Sequence, residues 1–353
     1  MDPLQATDWH DLVDFQRLTR WMDERGLGRG QIEGATLLAG GTQNLLLKLR
    51  RGELEFVLRR PPRHLRANSN ETMAREAKVL AALAGSDVPH PDLIAACTDT
   101  EVLGAAFYLM KPVDGFNVTS SGLPALHAAD RAVRRRMGFA MVDAITALGA
   151  IDPAAVGLSD FGRPDGFLER QVPRWRKQLE SYAACAGWPG AGAIPEVQQV
   201  ADWLETHRPL YFTPGILHGD FHLANVMFRH DSGELAAVVD WELATLGDPL
   251  LDLGWMLATW PRPDGSHHAN LGIHPWDGFP VAEELIERYA QRTTRDMTAI
   301  RWYAVLACYK LGIILEGSFA RACAGQAPVE IGQRLHRSTL GLFRRAADWI
   351  EHS

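Results

Sequence analysis

Around Lys111-Pro112-Val113-Asp114-Gly115 the hydrophobic pattern changes period, and that change points to an α+β chain with its strands and helices segregated. Before it, β-favouring runs at 33–39, 44–49 and 54–60 are joined by short polar or glycine-bearing turns, and two more follow at 92–98 and 105–110. Residues 70–83 between them have helical spacing, with Asn70 as the expected N-cap and Gly85 as the stop. Residues 8–25 read as one packing helix ending at Gly26. After the change, apolar residues recur at helical spacing over 128–148, 166–186, 195–207, 249–258, 282–291, 296–322 and 328–350. The expectation is an N-terminal antiparallel sheet lobe with one main helix, residues 1–110, and a larger helical lobe, residues 111–353.

One β-like interruption lies inside the helical half. Val226-Met227-Phe228 and 235–239 flank Asp231-Ser232-Gly233 and read as a hairpin. Folding about Ser232-Gly233 carries Asn225 back beside Asp240, two hard oxygen donors of the kind that share Mg²⁺ with nucleotide phosphates. Asp220, five residues before Asn225, points into the same space. Kinases divide phosphoryl transfer this way, with one Asp as base and an Asn and a second Asp on the metal. A second chemistry fits the same residues, because His218, Asp220 and His222 form an H-x-D-x-H pattern that could ligate Zn or a hydrolytic metal pair.

The earlier half supplies partners for a nucleotide. Gly40-Gly41-Thr42-Gln43-Asn44 could bring backbone N–H groups up to phosphates, although paired glycines are also common in plain turns. Arg59, ending the third β run, could pair with Glu76 in the helix and reach phosphate; for either residue alone an ordinary surface ion pair is the favoured explanation, and the pairing gains weight only with the later motif. His267, His268 and His274 in 260–278 read as loop residues, no fourth metal ligand being evident. The net charge of −7 gives no electrostatic reason to expect nucleic acid as partner. Cys97, Cys185, Cys308 and Cys323 show no C-x-x-C spacing and fit separate thiols in a reducing compartment. Residues 1–14 lack the basic and apolar regions of a secretory signal, and the apolar stretch 304–315 carries Lys310 and is too short for a bilayer. A cytoplasmic protein without a membrane partner is expected.

His218-Gly219-Asp220 through Asn225, with Val239-Asp240-Trp241-Glu242, resembles the H-G-D-x-x-x-x-N loop and D-W/F-E segment of the aminoglycoside phosphotransferase and choline kinase-like branch of the protein-kinase-like fold. The resemblance covers nearly the whole chain. It implies a bilobal kinase-like fold, ATP and Mg²⁺ as cofactors, and a small-molecule hydroxyl as substrate. By position it implies Asp220 as base, Asn225 and Asp240 on Mg²⁺, and Asp252 with His218 bracing the loop. Arg59 stands where the usual strand Lys is found, with Glu76 as partner; Gly40, Gly41, Thr42 and Asn44 face phosphate; Met110, Lys111 and Val113 form the hinge that meets adenine. Arg is not equivalent to Lys, though choline kinase-like relatives tolerate it there. Phe107-Tyr108-Leu109-Met110, 165–171 with Trp175, Leu246-Gly247-Asp248-Pro249, and Tyr309-Lys310-Leu311-Gly312 through Arg321 are similar to the kinase domain fused to some acyl-CoA dehydrogenases. That likeness implies a hydroxyacyl-CoA or similar acceptor. Over 297–353 four acids stand against seven bases, a balance that suits an anionic acceptor better than a polycationic one. A non-catalytic ATP-binding scaffold, suggested by Arg59, and a metal-dependent hydrolase are the alternatives. Arg170, Trp175 and Arg321 could touch substrate or serve only in packing.

Overall fold

The structure, a computed structural model, describes residues 9–38, 44–118, 122–262 and 273–351. The chain divides into two compact units, Met1–Asp114 with Ala237–Glu242, and Gly115–Ala236 with Leu243–Ser353.

In the first unit the single helix expected over 8–25 is a 3₁₀ turn, Trp9–Leu12, and a helix, α1 (Phe15–Asp23). Asp14 separates them, its carboxylate capping α1 by accepting from the N–H groups of Gln16 (2.9 Å) and Arg17 (3.0 Å). Strands β1 (Gly34–Leu37), β2 (Leu45–Arg51) and β3 (Leu54–Arg60), helix α2 (Ser69–Leu83), β4 (Leu93–Cys97), a short α3 (Thr100–Leu103) and β5 (Phe107–Met110) follow. The sheet is antiparallel, in the order β1-β2-β3-β5-β4. Leu47 and Leu49 of β2 and Phe56 and Leu58 of β3, at alternate positions, share a core with Leu18, Trp21 and Met22 of α1. Helix α2 packs on β4 and β5. Asn70 is not its cap: the helix starts one residue earlier, and the Asn70 side chain accepts from the Ala106 N–H at 2.9 Å, tying α2 to the approach of β5. The segment 237–242 is held in this unit by the Val238 N–H, which donates to the Pro89 carbonyl at 2.8 Å.

The second unit contains β6 (Phe116–Asn117), α4 (Ala125–Ala129), α5 (Arg131–Ala150), α6 (Gln171–Ser181), α7 (Val197–Thr206), β7 (Gly215–Leu217), β8 (Val226–Phe228), the start of β9 (Leu235–Val238), β10 (Thr245–Gly247), α8 (Leu250–Thr259), α9 (Ala282–Ala290), α10 (Ile300–Cys323) and α11 (Val329–Glu351). Asp130 splits the helix expected over 128–148 by capping α5 through the Ala132 N–H at 2.7 Å. The hairpin expected about Ser232-Gly233 is present, and β6 extends it to the order β6-β8-β9. Strands β7 and β10 pair antiparallel; at three residues each they are too short to show alternation in the sequence. Helix α10 corrects the reading of 304–315: it is 24 residues long and apolar enough, by length and composition, to cross a membrane. Two thirds of its most apolar window, 67%, is buried, and it packs on α6, α7, α8 and α11, as a core helix does.

Candidate active site

In the second unit, β7 leads directly into His218 and Gly219. Asp252, in the first turn of α8, accepts from the His218 N–H through Oδ2 (2.7 Å) and from the Gly219 N–H through Oδ1 (2.9 Å). This fully buried carboxylate thus satisfies two backbone donors that leave the strand at the loop. Burial pushes its pKa up, against the His218 charge and these two bonds. Gly219 has a φ of +85°, and a Cβ there would lie 2.5 Å from the Leu243 carbonyl oxygen, so both backbone and space require glycine.

The turn aims Asp220 at donors. Its Oδ1 accepts from Trp255 Nε1 at 2.8 Å; its Oδ2 accepts from Asn225 Nδ2 at 3.1 Å, and the same amide nitrogen bonds the Asp220 carbonyl at 2.9 Å. His222 Nε2 lies 3.4 Å from Oδ1. Burial works to raise the Asp220 pKa, but the hydrogen bond and charge of His222, with His218 and Lys310, outweigh it and hold the carboxyl down at about 2. Asp220 is therefore an ionised, oriented carboxylate, the form a proton acceptor needs. Trp255 and Lys310 were not among the residues the sequence singled out for this loop. Trp255 stands one helical turn after Asp252, so the i, i+3 spacing puts brace and donor on one face of α8. Lys310 is the one basic residue within the apolar run 302–315 of α10. Its Nζ donates to the Gly219 carbonyl over a long 3.4 Å.

In the first unit, Arg59 at the end of β3 is buried. Its Nε lies 2.9 Å from Glu76 Oε2, and its Nη2 is 3.3 Å from Glu76 Oε1 and 2.8 Å from Asp240 Oδ1. Tyr108 donates to Glu76 Oε2 at 3.0 Å. One planar guanidinium thus braces two carboxylates, which a single ammonium could not do in the same geometry. Burial pushes the Glu76 carboxyl up, with Asp240 adding to the effect and Arg59 and Tyr108 opposing it. Asp240 has a φ of +68°, left-handed backbone that Asp tolerates better than bulkier residues.

For Mg²⁺ the donor chemistry fits. Asn225 commits its amide nitrogen to Asp220, which leaves the amide oxygen as a donor for a cation. Asp240 commits Oδ1 to Arg59, is 39% exposed, and keeps Oδ2. Each is, within its own unit, the kind of oxygen that Mg²⁺ takes when phosphates and water complete its shell. Among the described residues no group of three or more His, Cys, Asp and Glu side chains is placed to hold a metal, which leaves the H-x-D-x-H zinc reading without a ligand set. At the expected hinge, Met110 ends β5, Lys111 pairs with Asp92 at 2.9 Å, and the Val113 backbone makes no hydrogen bond among the described residues. Asn44 sits at the bend before β2; Gly40, Gly41 and Thr42, with His267 and His268, lie outside the described residues. Arg170 donates to the carbonyls of Asp165 and Arg163, and Arg321 to Ser318, so both are spent on their own surroundings.

Residues 34–303 match the model of the phosphotransferase enzyme family. The chain belongs to this family. A crystal structure from Ralstonia eutropha JMP134 assigned to the aminoglycoside phosphotransferases is 30% identical, with a TM-score of 0.77 over 95% of this chain and 98% of that one. The phosphotransferase therefore has the α+β, protein-kinase-like fold. Acyl-CoA dehydrogenase family member 11 of Rattus norvegicus is 29% identical over 358 residues, covering 95% of this chain and 45% of the relative. Family member 10 of Mus musculus is 29% identical over 314 residues, covering 88% of this chain and 28% of the relative. The phosphotransferase chain thus spans less than half the length of these curated relatives.

Proposed function

We propose that this phosphotransferase moves the γ-phosphoryl group of ATP, with Mg²⁺, to the hydroxyl of a small molecule, and that the acceptor is a hydroxyacyl-CoA or a similar hydroxy acid derivative. The observation that carries the reading is the Asp220 carboxylate, kept ionised and fixed by Trp255 and Asn225 on a loop that Asp252 braces. Asp220 accepts the proton of the attacking hydroxyl and orients its oxygen. Asn225 and Asp240 would hold Mg²⁺, which when bound supplies positive charge against the phosphate oxygens. Arg59 keeps Asp240 in place through the shared guanidinium and, with Glu76, substitutes for the strand Lys. The unbonded Val113 backbone is available to the adenine edge. Phosphoryl transfer asks the protein mainly for positioning and charge, and this inventory supplies both. The resemblance to the domain fused to acyl-CoA dehydrogenases supports the acceptor class.

Consumption of ATP by the purified protein with Mg²⁺, across hydroxyacyl-CoAs, amino alcohols and aminoglycosides, tests the reading. Turnover that depends on one acceptor class and vanishes in Asp220→Ala is expected. Unchanged turnover in that variant, or failure to bind ATP, would sink the assignment.

A further inference from the structure

Near Asp220, around the Trp175 indole of α6, stand three donors that are poorly supplied with acceptors. Lys310 Nζ lies 4.3 Å from the centre of the Trp255 indole, the same indole that donates to Asp220, and 5.7 Å from that of Trp175. Arg174 Cζ lies over the same Trp175 ring at 5.3 Å. Two cations therefore flank one indole, and each raises the cost of keeping the other charged. The counter-charges nearest Lys310 are Asp220 and Asp252, but neither forms an ion pair with it: their oxygens are occupied by Trp255, Asn225 and the loop N–H groups. The one polar bond of Lys310 is the long contact to Gly219, and the Arg174 guanidinium makes none among the described residues. Trp175 is only 9% exposed, yet its Nε1–H is buried without a hydrogen-bond partner. Buried donors are ordinarily paired, so an orphan of this kind calls for an explanation.

We propose that Arg174, Trp175 and Lys310 form an oxyanion subsite of the acceptor, so that the hydroxyl phosphorylated here belongs to a molecule bearing a carboxylate or phosphate. The proposal deepens the reading of Asp220 as the proton acceptor and rests on it for the word acceptor; the subsite itself does not require turnover. A guanidinium, an ammonium and an indole N–H supply only donors, which complements an anion and repels the amino groups of an aminoglycoside. Trp255 links the two functions, since it touches both the Lys310 ammonium and the Asp220 carboxylate. An acceptor held by its anion on Lys310 then presents its hydroxyl on the Asp220 side.

Calorimetric binding to the full chain tests this, with 3-hydroxybutyrate, its neutral methyl ester, 3-hydroxybutyryl-CoA, inorganic phosphate and kanamycin as probes. At least one oxyanion is expected to bind the wild type and to lose about tenfold or more in affinity in both Arg174→Met and Lys310→Met. Arg174 is exposed, so its variant tests the charge without disturbing the core. Weakening of the free acid and not of its ester identifies a carboxylate as the anion; weakening confined to the thioester and phosphate identifies the phosphates of the carrier. Asp220→Ala should keep anion binding and lose phosphoryl transfer. Affinities unchanged in both lysine and arginine variants, no binding of any oxyanion, or kanamycin binding more tightly than every anion would overturn the subsite. A wild type that binds anions through these residues but never consumes ATP would overturn the kinase reading and leave the subsite standing.

Discussion

Asp220 keeps its charge in a place where burial alone would remove it, because three donors and two neighbouring basic side chains favour the ionised form. Replacing it with Ala should lower kcat by about 10²–10⁴-fold, the usual worth of a positioned acid–base group, and lower the thermal midpoint modestly, because the Trp255 and Asn225 donors lose their carboxylate. Since the folded carboxyl titrates near 2, below its ordinary 3.8, its contribution to stability is complete above about pH 4 and is lost only as the pH falls through 2. No acid limb of the rate profile above pH 4 should therefore belong to it. Lys310 behaves in the opposite sense. Burial pulls its ammonium down to about 8, against the pull of Asp220 and Asp252. As the pH rises through 8 the charge is lost, so KM for an anionic acceptor should climb while kcat and KM for ATP hold; a flat KM from pH 7 to 9 would contradict this. Arg59 has a third signature. Arg59→Ala leaves Glu76 buried without its cation, at a cost of about 3–5 kcal/mol when the carboxyl is charged. An unpartnered buried Glu has a raised folded pKa, so the loss should be small at low pH and grow as the pH rises. Melting of the variant at pH 5 and pH 8 checks the sign, and Arg59→Ala with Glu76→Gln should recover part of the stability at pH 8.

At the scale of elements, the loop between β7 and the 3₁₀ turn at Leu223–Asn225 is held by one helix, α8, which provides the Asp252 brace and the Trp255 donor one turn apart. Asp252→Ala would strand the N–H groups of His218 and Gly219, at about 1–3 kcal/mol each, and should cost both stability and rate. Gly219→Ala should show a different balance. The added methyl meets the Leu243 carbonyl and forces the turn to shift, so rate should fall further than the melting temperature. Equal losses in the two variants would mean that the turn is not specifically tuned. Most of this arrangement was legible beforehand: the D-x-x-x-x-N spacing, the hairpin about Ser232-Gly233 and the five strands of the first sheet follow from local pattern. Long-range side-chain pairing was not. Nothing local marks Asn70 as a partner of Ala106 rather than a cap, or Arg59 as a bridge to Asp240 as well as Glu76. Strands β7 and β10 escape notice because three residues cannot display a period, whereas the helix expected over 296–322 is present as α10, and only its apolar stretch was read short, as 304–315, because Lys310 and Glu316 interrupt it. The lysine that interrupts that apolar stretch is the one that meets the loop at Gly219.

For the whole molecule, the first unit is discontinuous, since 237–242 returns to it from far along the chain. A protein ending at Asp114 would lack both the Val238 bond to Pro89 and the Asp240 partner of Arg59. It should melt lower than the same protein with residues 237–242 appended through a glycine–serine linker; identical melting curves would show that the segment adds no stability. In the second unit α10 packs on four other helices, so polar substitutions on its buried face, such as Ile313→Asn, should disrupt that core as a whole. The discontinuity also sets a schedule for synthesis. Arg59 and Glu76 leave the ribosome early, yet the carboxylate that completes their cluster is 181 residues beyond Arg59. At ordinary elongation rates that interval is on the order of ten seconds or more. During it the nascent sheet carries a buried cation with only one of its two acidic partners, and it can reach its finished form only after the hairpin that carries Asp240 has been translated.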